Sequence, residues 1–338
     1  MTSDPARHHA PGKPDHGPRP GTRAMAWLPY GVIALLAAVL WWLDRYQAAS
    51  VPVWLPYEFD ATYFVATALA VWWYLRGLAL TPRGERPALW QIFFYFAGVA
   101  TIYAVLQTRF EYMAEHMFFL NRLQHVVLHH VGPFLIALAW PGATMARAMP
   151  GWLMRLVTSR PVLAVRDVVQ QPFIAAVLFV GLIALWLTPA VHFVAMIDTG
   201  LYRVMNWTMV VDGLLFWFLI LDPRPSPPAH VSHAGRIVTA VLVMFPQIAI
   251  GAVITLAHGD IYTFYDWCGR LYPSIGAIDD QVYGGLIVWI PAAMMSVVGM
   301  LLALNMMRLS EEEKERREHA GKGSEDDGLV VSAGWTGR

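Results

Sequence analysis

Eight apolar segments punctuate the chain, at 25–43, 61–80, 88–106, 122–140, 173–189, 203–221, 237–257 and 283–307, each 17 to 25 residues long. A helix rising 1.5 Å per residue needs about 20 such residues to cross roughly 30 Å of hydrocarbon. Lipid offers backbone polar groups no partners, so each segment must satisfy its own and reads as an α-helix. The expectation is an all-α polytopic membrane helix bundle with about eight transmembrane helices. Trp72, Trp73, Tyr74, Trp140 and Trp186 crowd segment ends, where amphipathic rings anchor at the interface. The first segment ends in Trp41, Trp42, Asp44 and Arg45 rather than in small residues, which fits a retained span better than a cleaved signal peptide.

The charges lie where lipid tolerates them. Only 14% of residues are charged, 57% are hydrophobic and the formal net charge is zero, so there is no basic field to suggest nucleic acid. Counting Lys and Arg by connection puts 19 of the 24 on the side that holds both termini, against 5 on the other. The positive-inside rule then makes both N- and C-termini cytoplasmic. Residues 1–24, rich in Pro, Gly and His (His8, His9, His16), read as a disordered tail ahead of the helical domain at 25–307. Residues 308–338 read as a charged tail, a short solvated helix followed by disorder. Between the third and fourth segments, 109–120 is too short and too charged to cross and reads as an interfacial amphipathic helix, with Asn121 as N-cap of the next span. A single cysteine, Cys268, excludes an internal disulfide framework.

With this topology, metal-ligand side chains gather on the outer side. Glu111, Met113, His116, Met117, His125, His129 and His130 surround the second outer connection, and His192 and Met196 lie in the third. The fourth carries His258, Asp260, Asp266, Cys268, Asp279 and Asp280. Met113, His116 and Met117 fall at i, i+3 and i+4, which puts them on one face of a helix. His125 and His129 share the i, i+4 spacing, as do His192 and Met196, whereas His130 faces away from the pair. Tyr202, Met205, Met209 and Asp212 form a further stripe. Imidazole with thioether suits Cu(I), so copper is the expected metal. Met stripes in membrane helices are usually core filler or face lipid. An ionisable side chain at membrane depth is a functional hypothesis by default, which singles out His125, His129 and Asp212. For Asp212 the plain structural alternative is a partner such as Asn206 or a Trp N–H.

The run LQHVVLHHVGPFLIALAWPG (123–142) resembles the signature of the caa-type cytochrome c oxidase assembly factors, the polytopic CtaG-like family. DGLLFWFLILDP (212–223) and DQVYGGLIVW (280–289) resemble two further segments of that family, in the same order, over about residues 115–305. The resemblance carries over Gln124, His125, Asp280, Gln281, Gly285 and Trp289. Asn121 stands where the family often has a second His, and Gly132–Pro133 where it has a double Pro. His116 or His129 could supply the missing ligand. The resemblance implies an assembly factor for a haem–copper oxidase, with oxidase subunits as partners and a part in copper delivery at the outer face. It implies no enzyme, in keeping with a sequence that has no phosphate loop, nucleophile elbow or HExxH motif. Two rivals stay open. One is a transporter moving metal or a small solute past Asp212. The other is a b-type haem electron carrier with His125 or His129 and His192 as axial ligands.

Overall fold

A computed structural model describes residues 20–47, 52, 54–55, 58–227, 229 and 231–329, with side chains from 27 to 319 within these. In it α1 spans Pro20–Gln47, α2 Ala61–Leu80, α3 Leu89–Leu106, α4 Arg109–His116 and α5 Phe118–Val126. A π-helical turn, Val127–Val131, joins α5 to α6 (Gly132–Ala139). There follow α7 Gly142–Ala146, α8 Gly151–Val157, α9 Arg160–Val169, α10 Pro172–Leu187, α11 Pro189–Ile197 and α12 Thr199–Ile220. The last three are α13 His233–Leu256, α14 Phe264–Cys268 and α15 Ala277–Leu329. No strand occurs among the described residues.

Among the described residues, six helices are long and apolar enough to cross a membrane, and α9 with α10, bent by 75°, would make a seventh. The expected span at 122–140 is built differently, as α5, the π turn and α6 end to end. The helices start and stop where local chemistry dictates. Asp60 caps α2 by accepting from Thr62 N (2.7 Å), and Asp198 caps α12 by accepting from Leu201 N (2.7 Å). Trp140, left-handed at φ 49°, ends α6. Asn121 is not an N-cap: α5 begins at Phe118, and Asn121 is buried within it. The N-terminal tail lies outside the described residues up to 19, and 20–24 already belong to α1. The C-terminal tail continues α15 as far as Leu329, and 330–338 lie outside the described residues.

Packing inverts the pattern of a water-soluble core. Large apolar side chains such as Val253, Leu256 and Phe245 are exposed around the girth, while Gln124, His129, Asn206 and Gln247 are buried between the helices. Helices α13 and α15 pack closely along much of their length. A Cβ on Gly285 would lie 2.3 Å from Thr255 Oγ1, and one on Gly251 would lie 2.6 Å from Trp289 Cβ. Only glycine permits that spacing, which gives Gly285 and Trp289 a packing role.

Candidate functional site

The centre of the site is the π turn. Pro133 has no N–H for the carbonyl of His129, and in a regular α-helix its ring would collide with that carbonyl. The chain takes five residues per bonded step instead, so that Gly132 N donates to Val127 O. The freed His129 carbonyl accepts from the indole Nε1 of Trp217 (3.2 Å). Gly213 lets α12 come this close, since a Cβ there would lie 2.4 Å from the His129 carbonyl oxygen. The altered register corrects the expectation for His130. It does not face away from His125 and His129 but borders the same cavity, its ring centroid 4.9 Å from that of His129.

That cavity holds about 20 Å³, enough for a single water-sized occupant. Arg122, His125, His129, His130 and Met209 border it, with an apolar wall of Ile183, Leu187 and Val288. Nε2 of His125 lies 3.1 Å from Oδ1 of Asn206, and Nε2 of His129 lies 2.9 Å from Oδ2 of Asp212. Both oxygens only accept, so each ring donates from Nε2, and in the neutral form its Nδ1 is a bare lone pair. Neither Nδ1 has a hydrogen-bond partner. His130 differs: Gln247 Nε2 donates to its Nε2 (3.4 Å), which leaves the proton on an unpartnered Nδ1. Asp212 thus finds its partner in His129, rather than in Asn206 or an indole. The stripe of Tyr202, Met205, Met209 and Asp212 is buried along its length.

The remaining candidates part company. Met117 sits at a break between α4 and α5 (φ −142°, ψ 127°), so Met113, His116 and Met117 share no helix face. His116 stays on α4, its Nδ1 2.8 Å from Tyr112 O, and Met113 accepts from Tyr272 OH (3.9 Å). His192 is buried with both nitrogens engaged, Nδ1 3.2 Å from Trp186 O and Nε2 3.0 Å from Tyr265 OH. Met196 accepts from Asn121 Nδ2 at 3.7 Å. Gln124 donates to Val105 O (2.8 Å) and accepts from Tyr202 OH (3.0 Å). Asp280 accepts from Phe118 N (3.0 Å) and Phe119 N (2.8 Å) and pairs with Arg270, pinning the start of α5 to α15. Gln281 accepts from Ile261 N (2.8 Å) and donates to Gly259 O (3.1 Å), which ties down the connection after α13.

Glu111 joins a different group. With Asp44, Glu58, Asp60, Glu115 and Arg203 it lines a cavity of about 200 Å³ at the α4 end of the bundle. Burial, and then the neighbouring Glu115, Glu58 and Asp60 carboxylates, push Glu111 well above the usual carboxylate range. Burial and then Glu58 push Glu115 up to about 7. Tyr202 borders this acidic shelf and bonds to Gln124, so it links the shelf to the helix that carries His125.

Sequence reasoning passed over Arg122 and Gln247 and named Asn206 only as a partner for Asp212. Arg122 is 1% exposed, donates to Asn121 Oδ1 and lies 5.1 Å from the Phe118 ring centroid. A signal was available, since an arginine, an amide and a glutamine within apolar spans each need a partner. Among the described residues, no three or more His, Cys, Asp or Glu are arranged to hold a metal ion.

Residues 72–309 match the family described as cytochrome c oxidase caa3 assembly factor (Caa3_CtaG). The chain belongs to this family. The match covers most of the sequence and spans every helix from the middle of α2 into α15. No curated protein and no solved structure matches the chain. The family's role is oxidase assembly, and the resemblance read from 123–142, 212–223 and 280–289 falls inside the matched region.

Proposed function

We propose that this family member is a membrane-integral assembly factor of the bacterial plasma membrane that binds Cu(I) as cargo at His125 and His129 and passes it to cytochrome c oxidase subunits at the outer face. The observation that carries the reading is a pair of histidines, each with an unpartnered Nδ1, that border one small cavity together with Met209. Each ring donates its other N–H to a fixed oxygen, the arrangement that orients metal-binding histidines and raises their basicity. Imidazole and thioether together suit Cu(I). A cargo ion must also leave, so a site with few ligands serves delivery better than a closed cage. The acidic shelf around Glu111, linked through Tyr202 and Gln124 to the helix that carries His125, holds carboxyl groups that would take up a cation by releasing their protons. The 19-to-5 partition of basic residues puts that shelf outside.

Neither rival fits this geometry as well. A haem between His192 and His125 or His129 would need several hundred Å³, against the roughly 20 Å³ beside the two histidines, and His192 has no free nitrogen. For a transporter, the core beyond Asp212 and Gln247 is mostly apolar, with Thr239 and Ser296 as isolated polar groups. There Phe134, Phe216, Trp217, Ile220 and Val243 close the core.

The test is elemental analysis of purified full-length protein after loading with Cu(I) under reducing conditions. His125→Ala and His129→Ala should abolish retained copper. Asp212→Asn, which weakens the orienting bond, should lower copper affinity about 10- to 100-fold. Met113→Ala and His116→Ala, remote from the cavity, should leave copper binding unchanged. Unaltered protein that retains no copper overturns the cargo assignment.

A further inference from the structure

At the opposite end of the bundle from the acidic shelf lies a larger cavity, of about 350 Å³. Arg166 of α9, Arg224 of the α12–α13 connection and Arg236 of α13 border it, together with Asp167 and Asp222, which leaves one positive charge in excess. Arg236 is 1% exposed and is aimed by three backbone carbonyls, those of Val231 (3.1 Å), Asp222 and Arg224 (3.0 Å). A guanidinium carries five N–H groups, so two remain for a further acceptor. Arg224 bonds Asp222 through Nε (2.9 Å) and Nη2 (2.7 Å), lies 5.5 Å from the ring centroid of Trp140 and likewise keeps donors in reserve.

A second observation concerns α9, which meets α10 at 75°. A helix at that angle to a spanning one runs nearly along the membrane surface. Val162, Val165 and Val168 recur every three residues on α9 and are 37%, 63% and 57% exposed. Trp152 and Leu156, four residues apart on α8, are exposed as well. Such a stripe with arginines beside it is how an interfacial helix settles between headgroups and acyl chains.

The geometry points to a binding site for one anionic phospholipid, its phosphate taken by Arg166, Arg224 and Arg236 and its acyl chains lying against the valine face of α9. Basic pockets between spanning helices receive acidic headgroups in this way. The site is separate from the histidine cavity and does not depend on what that cavity carries. Free inorganic phosphate shares the headgroup chemistry but has no use for the valine face, and that face decides for the lipid.

Native mass spectrometry of the detergent-purified full chain tests this with phosphatidylglycerol, phosphatidylcholine and inorganic phosphate as separate probes. The unaltered protein should retain one phosphatidylglycerol in preference to phosphatidylcholine, and phosphate should not displace it. Arg166→Gln with Arg224→Gln should weaken retention by about 30-fold, the product of roughly fivefold for each arginine near a membrane surface. Val165→Ser should weaken it too, and Arg155→Gln, whose arginine does not border the cavity, should not. Equal retention of the two lipids by unaltered protein overturns the proposal without any variant. Displacement by inorganic phosphate, or loss of retention in Arg155→Gln equal to that in the double variant, also overturns it.

Discussion

Two buried polar regions meet on α5 and treat their hydrogen bonds in opposite ways. At the start of the helix, Asp280 accepts from two backbone N–H groups and pairs with Arg270, and the Gln281 amide uses both its oxygen and its nitrogen on backbone groups. One to three turns further on, the cavity leaves Nδ1 of His125, His129 and His130, Nδ2 of Asn206, Oε1 of Gln247 and Nε of Arg122 without partners. Native interiors keep such orphans few, because each costs about 1–3 kcal/mol. A region that satisfies every group holds the fold together. On the proposed reading, one in which four residues that border a single small cavity each keep an orphan atom is kept for something that binds there. The residues carried over by family resemblance divide along this line, with Gln124, Asp280 and Gln281 on the satisfied side and His125 on the open one.

The comparison breaks first at Asp280. Asp280→Ala would take from Arg270 its nearest carboxylate, leaving it Asp266 and Asp260, and would leave two N–H groups of α5 uncapped, at a cost of about 2–4 kcal/mol. The check is thermal unfolding of purified protein, where His125→Ala should shift the midpoint far less. If His125→Ala is as destabilising as Asp280→Ala, the histidine region is structural too. Next comes Gly213→Ala, whose new methyl would meet the His129 carbonyl at 2.4 Å and push α12 off the π turn. Overpacking of this kind costs about 1–3 kcal/mol. Because the displaced element carries Asn206, Asp212 and Trp217, copper retention should fall together with stability.

The smallest expected effect sharpens the contrast at the acidic shelf. Glu115 holds its proton to about 7, above the ordinary glutamate value of 4.5. The folded chain therefore binds more protons than the unfolded chain between these values, and stability falls as pH rises through that window. Above it the loss is complete, and below about 4.5 it vanishes. Glu115→Gln should remove this dependence, raising the unfolding midpoint by roughly 2 °C at about pH 8 while leaving it unchanged near pH 4. An unaltered pH profile in the variant would show that the shelf carries no such strain.

Much of the architecture was legible in the sequence, and so was the family. The span positions followed from apolar runs, and one departure has a local cause. The span at 122–140 is segmented by the consequences of Pro133, whereas the expected span at 173–189 is α10, starting at Pro172 after the Gln170–Gln171 turn. Helical spacing put His125 and His129 on one face, and both border the cavity. It misjudged His130 because the estimate assumed 3.6 residues per turn through a stretch that does not have it. It also grouped Met113, His116 and Met117 by a periodicity that stops at the extended backbone of Met117.

What the sequence determined by itself was the solvent of each segment. Transfer into lipid is close to additive over residues, so a run of side chains decides it without reference to neighbours. The partner of each buried polar group was left to the tertiary structure. His129 meets Asp212, 83 residues away, and Asp280 meets the start of α5, 162 residues away. Hydrogen bonds are directional and short, and a few tenths of an ångström of helix approach, set by glycines such as Gly213, decides which of several candidates is reached. No count along a single helix contains that information. It arises only when α12 is pressed against a turn that Pro133 has already unwound.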